Sequence, residues 1–195
     1  MQTITGLFDD HASARRAVNA LENKGVPSSD ISIVGRNGDD SGIDAAEGAA
    51  TGAGLGAAVG GAGGLLAGLG LVAIPGLGPV VAAGWLASTL AGAAAGAAAG
   101  GVAGGLIGGL MDAGVDENDA HVYAEGVRRG GTVVTARVQD DLASAARSIL
   151  SSDAVDIARR RELYASEGWT GYDDTLPHYT DEEIRAERQR LRDGL

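Results

Sequence analysis

The residues of this chain that are able to do chemistry are few and scattered. Its three histidines, His11, His121 and His178, fall in separate segments without metal-ligand spacing. His121 and Glu125 stand four apart on one face of a predicted helix and read as an ordinary solvated pair. No cysteine is present, which excludes thiolate nucleophiles, thiolate metal ligands and disulfides. Asp39, Asp40, Asp44 and Glu47 are of a type that binds hard cations, but a solvated acidic loop is the simpler reading. Gly52-Ala53-Gly54-Leu55-Gly56-Ala57 fits a loose dinucleotide-binding pattern, yet no strand precedes it and the surrounding glycine density makes such matches inevitable. Arg128-Arg129 and Arg159-Arg160-Arg161 are suited to a phosphate ligand; we expect them instead to be surface charges balancing an acidic protein. These residues define no reaction. The chain is read as non-enzymatic, with no catalytic, cofactor-binding or metal residues and no cofactor.

Composition narrows the partners. The chain has 195 residues and a net charge of −11, which argues against nucleic acid because phosphate binding needs clustered Lys and Arg. Lys24 is its single lysine. The sequence opens in a strand-like segment without a basic–apolar leader, so a cytoplasmic location is the expectation.

The elements that must position anything are organised around residues 48–111, which carry no charge and are rich in glycine. Gly48, Gly52, Gly56, Gly60, Gly64 and Gly68 recur every four residues; after Ile74-Pro75-Gly76-Leu77-Gly78-Pro79 the spacing resumes at Gly84, Ser88, Gly92, Gly96, Gly100, Gly104 and Gly108. On an α-helix a four-residue repeat keeps its small residues in one slowly winding stripe. Each interior Gly costs about 1 kcal/mol relative to Ala, a penalty offset where small faces let backbones pack closely. A glycine-zipper helical hairpin with its turn at residues 74–79 is therefore expected, and its self-association residues are the stripe glycines. Each arm of about 27 residues would reach roughly 40 Å, enough for a bilayer core of about 30 Å. Gly and Ala dominate, however, and the acidic flanks give no positive-inside signal. Membrane lipid and further copies of the chain are both expected as partners for such a surface.

On either side lie two similar units. Residues 3–9 alternate as a strand, Asp9 or Asp10 can cap a helix carrying Ala14, Ala17, Val18 and Leu21, Gly25 ends it, and residues 31–34 form a second strand. Asp116 caps a helix with Ala120, Tyr123, Ala124 and Val127; residues 132–138 are the most β-branched run; Asp140-Asp141 caps the next helix; residues 154–158 read as a fourth strand. Asp9-Asp10-His11-Ala12-Ser13-Ala14 is similar to Asp140-Asp141-Leu142-Ala143-Ser144-Ala145, and Ser28-Ser29-Asp30-Ile31 to Ser151-Ser152-Asp153-Ala154. Two βαβ halves fold naturally as an α+β, ferredoxin-like protein, with a four-stranded antiparallel sheet and helices on one face. The expected organisation is residues 1–36 as the first half, 37–47 an acidic loop, 48–111 an inserted hairpin, 112–158 a helix and the second half, and 159–195 a charged tail. In that tail, Thr180 to Glu183 is a capping box, Ile184 and Leu191 are too few to make a core face, and the aromatics dock on the body or a partner.

Thr5-Gly6-Leu7-Phe8-Asp9-Asp10, with Ala17-Val18, Leu21 and Gly25 behind it, resembles the N-terminal unit of bacterial heat-induced general stress proteins. Pro75-Gly76-Leu77-Gly78-Pro79 with Ala82-Ala83-Gly84, the run Tyr123-Ala124-Glu125-Gly126-Val127-Arg128-Arg129-Gly130-Gly131, and Glu167-Gly168-Trp169-Thr170-Gly171-Tyr172-Asp173 are similar to glycine-rich stress proteins often described as membrane proteins. The resemblance implies a stress-linked role and carries no catalytic residues. The resulting expectation is a self-associating general stress protein, cytoplasmic or membrane-associated through residues 48–111. A small-ligand-binding or regulatory module on the ferredoxin-like sheet is the alternative.

Overall fold

The computed structural model describes residues 1–36, 70–74, 77–96 and 104–194. β1 (Gln2–Phe8) is followed by α1 (His11–Asn23), which opens where Asp10 accepts the Ser13 N–H at 2.7 Å and closes at Gly25. β2 (Ile31–Arg36) comes next, then β3 (Gly70–Ile74) and β4 (Gly78–Ala83). Two helices, α2 (Trp85–Gly96) and α3 (Gly104–Asp112), precede α4 (Glu117–Arg128), whose N-cap is Asp116. β5 (Thr132–Val138), α5 (Asp140–Asp153), α6 (Ile157–Ser166) and α7 (Asp181–Gly194) complete the described chain.

The strands form one five-stranded sheet, ordered β1-β5-β2-β4-β3, with every neighbouring pair antiparallel. Residues 2–8, 31–36 and 132–138 thus share a sheet, as the sequence leads one to expect. The covering of the sheet differs from expectation. α1 and α5 pack on one face over Ile4, Phe8, Ile31, Ile33, Val134 and Ala136. α2, α3 and α4 cover the other through Leu7, Val34, Val80, Ala82 and Val133. Helices therefore lie on both faces, and β2 and β5 are buried along nearly their whole length because neither face meets water.

Two further expectations are corrected. Residues 154–158 form no strand: Val155 donates one backbone hydrogen bond to the Leu7 carbonyl at 2.8 Å, and α6 then begins at Ile157. The Asp156 carboxylate accepts the Arg159 N–H at 3.1 Å, and that cap turns the chain into a helix after a single rung. The apex of the expected helical hairpin is a β-hairpin, pairing Gly70 with Ala82 and Ile74 with Gly78. β2 offers an open edge there, and Ile33 to Arg36 pair with Ala83 to Val80. Arg36 fastens the turn by donating to the carbonyls of Leu77 and, at 2.9 Å, Tyr179. Of the expected insertion, the described residues Val80, Ala82, Leu86, Leu90, Leu106 and Leu110 fill one of the two cores.

The tail docks on the body. Tyr164 is fully buried, edge-on to Trp169 with ring centroids 5.7 Å apart. Ile184 and Leu191 are both buried, so the two apolar residues of α7 do face the body. Its expected capping box is present: Thr180 N–H donates to Glu183 Oε2 at 2.7 Å, and Glu183 N–H to Thr180 Oγ1 at 3.3 Å. The Asp140-Asp141 pair does not cap α5; its N-cap is Gln139, which makes no side-chain cap bond.

Candidate functional site

The small-residue stripe is divided by the fold. Gly52, Gly56, Gly60, Gly64, Gly68 and Gly100 lie outside the described residues, as do the acidic positions Asp39, Asp40, Asp44 and Glu47. Gly84 is not in a helix. It sits at φ +84° in the bend between β4 and α2, where a Cβ would collide with the Ile31 carbonyl oxygen. Gly92 and Gly96 lie in α2, Gly104 and Gly108 in α3. α2 buries Leu86 and Leu90 against the body and leaves Ser88, a stripe position, exposed. On α3, a Cβ at Gly108 would meet nothing within 4 Å among the described residues, whereas one at Gly109 would come within 2.7 Å of Leu86 Cδ1. The close approach between α2 and α3 thus belongs to Gly109, off the stripe. Ser88 and Gly108 face away from the body.

The arginines expected at the surface are mostly interior. Glu125, 1% exposed, accepts from Arg128 Nε at 3.0 Å and from Arg129 Nε at 2.7 Å. Arg129 also reaches Glu167 at 2.7 Å and Glu187 at 3.1 Å, with its guanidinium 4.1 Å from the centroid of the Tyr164 ring. Burial works against the Arg129 charge, but its bonds to Glu125, Glu167 and Glu187 outweigh this and hold it above its ordinary value. Arg160 pairs with Asp9 at 2.8 Å, and Arg161 with Asp119. Chemically this is a neutralised lock joining α4, α6 and α7. The four-residue spacing of Glu125 and Arg129, with Tyr123, Ala124 and Val127 around them, was the available signal for it.

The histidines remain apart. His11 is buried with neither ring nitrogen partnered among the described residues; burial first, then the Arg15 charge, lowers its proton affinity. His121 Nδ1 accepts the Tyr172 N–H at 3.1 Å, so its partner is the tail and not Glu125. His178 is exposed. Among the described residues no group of three or more His, Asp or Glu is placed to hold a metal ion.

The fold defines a mixed α+β protein built on one antiparallel sheet. Residues 3–72 match the family model of the heat induced stress protein YflT domain, and over those residues the likeness to bacterial heat-induced stress proteins holds. The match runs from β1 into β3. No curated protein and no solved structure matches the chain.

Proposed function

We propose that this is a non-enzymatic general stress protein that associates with further copies of itself through the small-residue face of α2 and α3. The observation that carries the reading is the open space beside Gly108 among the described residues, with Gly109 turned in against Leu86. A glycine that is not needed inside the hairpin, at about 1 kcal/mol of lost helix propensity, is accounted for by a second backbone packing on it from outside. We read the body as a ferredoxin-like core, β1-α1-β2 and β5-α5, in which Val155 stands where the fourth strand would pair with β1. The match at residues 3–72 supports the stress-linked role.

Two observations favour association between protein copies over insertion in a bilayer. α2 has 12 residues and α3 has 9; at about 1.5 Å per residue neither reaches across a hydrocarbon core of about 30 Å. Among the described residues no helix is long and apolar enough to cross a membrane. Sedimentation velocity of the purified protein, with and without detergent, tests the reading. The expected result is an oligomer whose size is unchanged by detergent. A monomer under both conditions contradicts it.

A further inference from the structure

A cavity of about 420 Å³ opens where the end of β1, the α5–α6 junction and α7 meet. That is within the usual range for small-molecule sites, roughly 300–1,000 Å³. Val155, Leu163 and Leu191 give it an apolar wall, and charged side chains surround them. The pairing of those charges decides which ligand fits.

Each acid at the cavity is engaged. Asp9 accepts from Arg160 at 2.8 Å, Asp153 lies 3.7 Å from Arg16, and Asp156 caps α6. Arg190 is held by Glu187 at 2.8 Å and by Glu167. Arg160 is 3% exposed and lines the cavity, with one of its five N–H donors committed to Asp9. Arg159 differs from all of these. It is exposed, and its guanidinium has no hydrogen bond or ion pair among the described residues. A guanidinium without an ion-pair partner among the described residues therefore stands at the edge of an apolar wall.

We propose that this cavity binds a small amphipathic monoanion, a monocarboxylate with an aliphatic body. Its carboxylate pairs with Arg159, and its chain lies along Leu163 and Leu191. Polyphosphates and other multiply charged anions are disfavoured by Asp9, Asp153 and Asp156 at the lining and by the net charge of −11. The inference does not depend on self-association, because none of the described residues of α2 and α3 lines the cavity.

Isothermal titration calorimetry of the full chain with sodium decanoate, decyltrimethylammonium and acetate tests it, alongside methyl chemical shifts. Decanoate should bind saturably at one per chain and shift the Leu163 and Leu191 methyls. Arg159→Gln, at an exposed position, should weaken it at least about tenfold, the loss expected for a charge-assisted hydrogen bond. Arg159→Lys should restore most of the affinity, and neither the cation nor acetate should saturate. The proposal is overturned by decanoate binding that Arg159→Gln leaves unchanged, by equal binding of the cation, by shifts confined to Leu86 and Leu90, or by no saturation with decanoate.

Discussion

Arg129, the C-cap of α4, lies 3.1 Å from Glu187 of α7, 58 positions away in the chain, and each side chain is 8% exposed. The C-terminal helix is thus held by a buried ion pair as well as by Ile184 and Leu191. Removing Glu187 leaves Arg129 paired with Glu125 and Glu167 but takes away a buried charge-assisted hydrogen bond between the helices, worth roughly 1.5–3 kcal/mol. Glu187→Ala should lower unfolding stability by about 2 kcal/mol in urea denaturation, whereas the exposed Glu182→Ala should change it by less than about 0.5 kcal/mol. Equal effects from the two would show that α7 is not locked through Glu187.

Stability should fall on the acid side in two stages. His11 is held below its ordinary value by burial and by the Arg15 and Arg188 charges, against an opposing pull from Asp10. The unfolded chain then takes up this proton first, so stability begins to drop below about pH 6.5, the ordinary histidine value. Burial opposes ionisation of Glu187, but bonds from Arg190 and Arg129 hold its carboxyl below the ordinary value. Its contribution is complete above the ordinary carboxylate range, near pH 4.3, and is lost as pH falls through the folded value. His11→Phe should remove the upper stage and leave the lower. Urea midpoints between about pH 7 and pH 5 measure this. An unchanged slope in His11→Phe would assign the upper stage to another group.

Gly84 and Gly25 both have positive φ, +84° and +93°, but only Gly84 faces backbone across the bend. Gly25→Ala should cost about 1 kcal/mol for the left-handed conformation alone. Gly84→Ala adds a collision with the Ile31 carbonyl oxygen and should cost more than about 3 kcal/mol, or abolish folding. Thermal unfolding of the two variants checks the ranking. Similar losses in both would mean that β4 and α2 do not meet β2 as closely as described.

Where local signals were strong, the sequence was readable. Alternation placed β1, the β-branched run placed β5, and Asp10, Asp116 and Thr180 stand at the starts of their helices. Residues 70–83 were not legible, because charge-free Gly, Ala and Val satisfy a helical stripe and a strand equally well. What decided them was the open edge of β2, a tertiary partner that no local window contains. Residues 154–158 misled for the converse reason: repeat symmetry called for a strand, but the Asp156 cap starts a helix. For the candidate site, the four-residue period singled out Gly108. It could not tell that Gly109 would be the residue meeting Leu86, since that depends on how α3 is rotated against α2.

That rotation supplies the most direct test of the central claim. Light scattering coupled to size exclusion should be run on the parent chain, Gly108→Leu and Gly109→Leu, with thermal unfolding of each. Gly108→Leu adds a side chain where no described residue stands within reach and, in the proposed assembly, where copies meet, so it should shift the oligomer toward monomer with little change in unfolding temperature. Gly109→Leu must displace Leu86 and should lower the unfolding temperature whatever the assembly state. A parent chain that is already monomeric, or a Gly108→Leu variant that assembles as the parent does, would contradict self-association through this face.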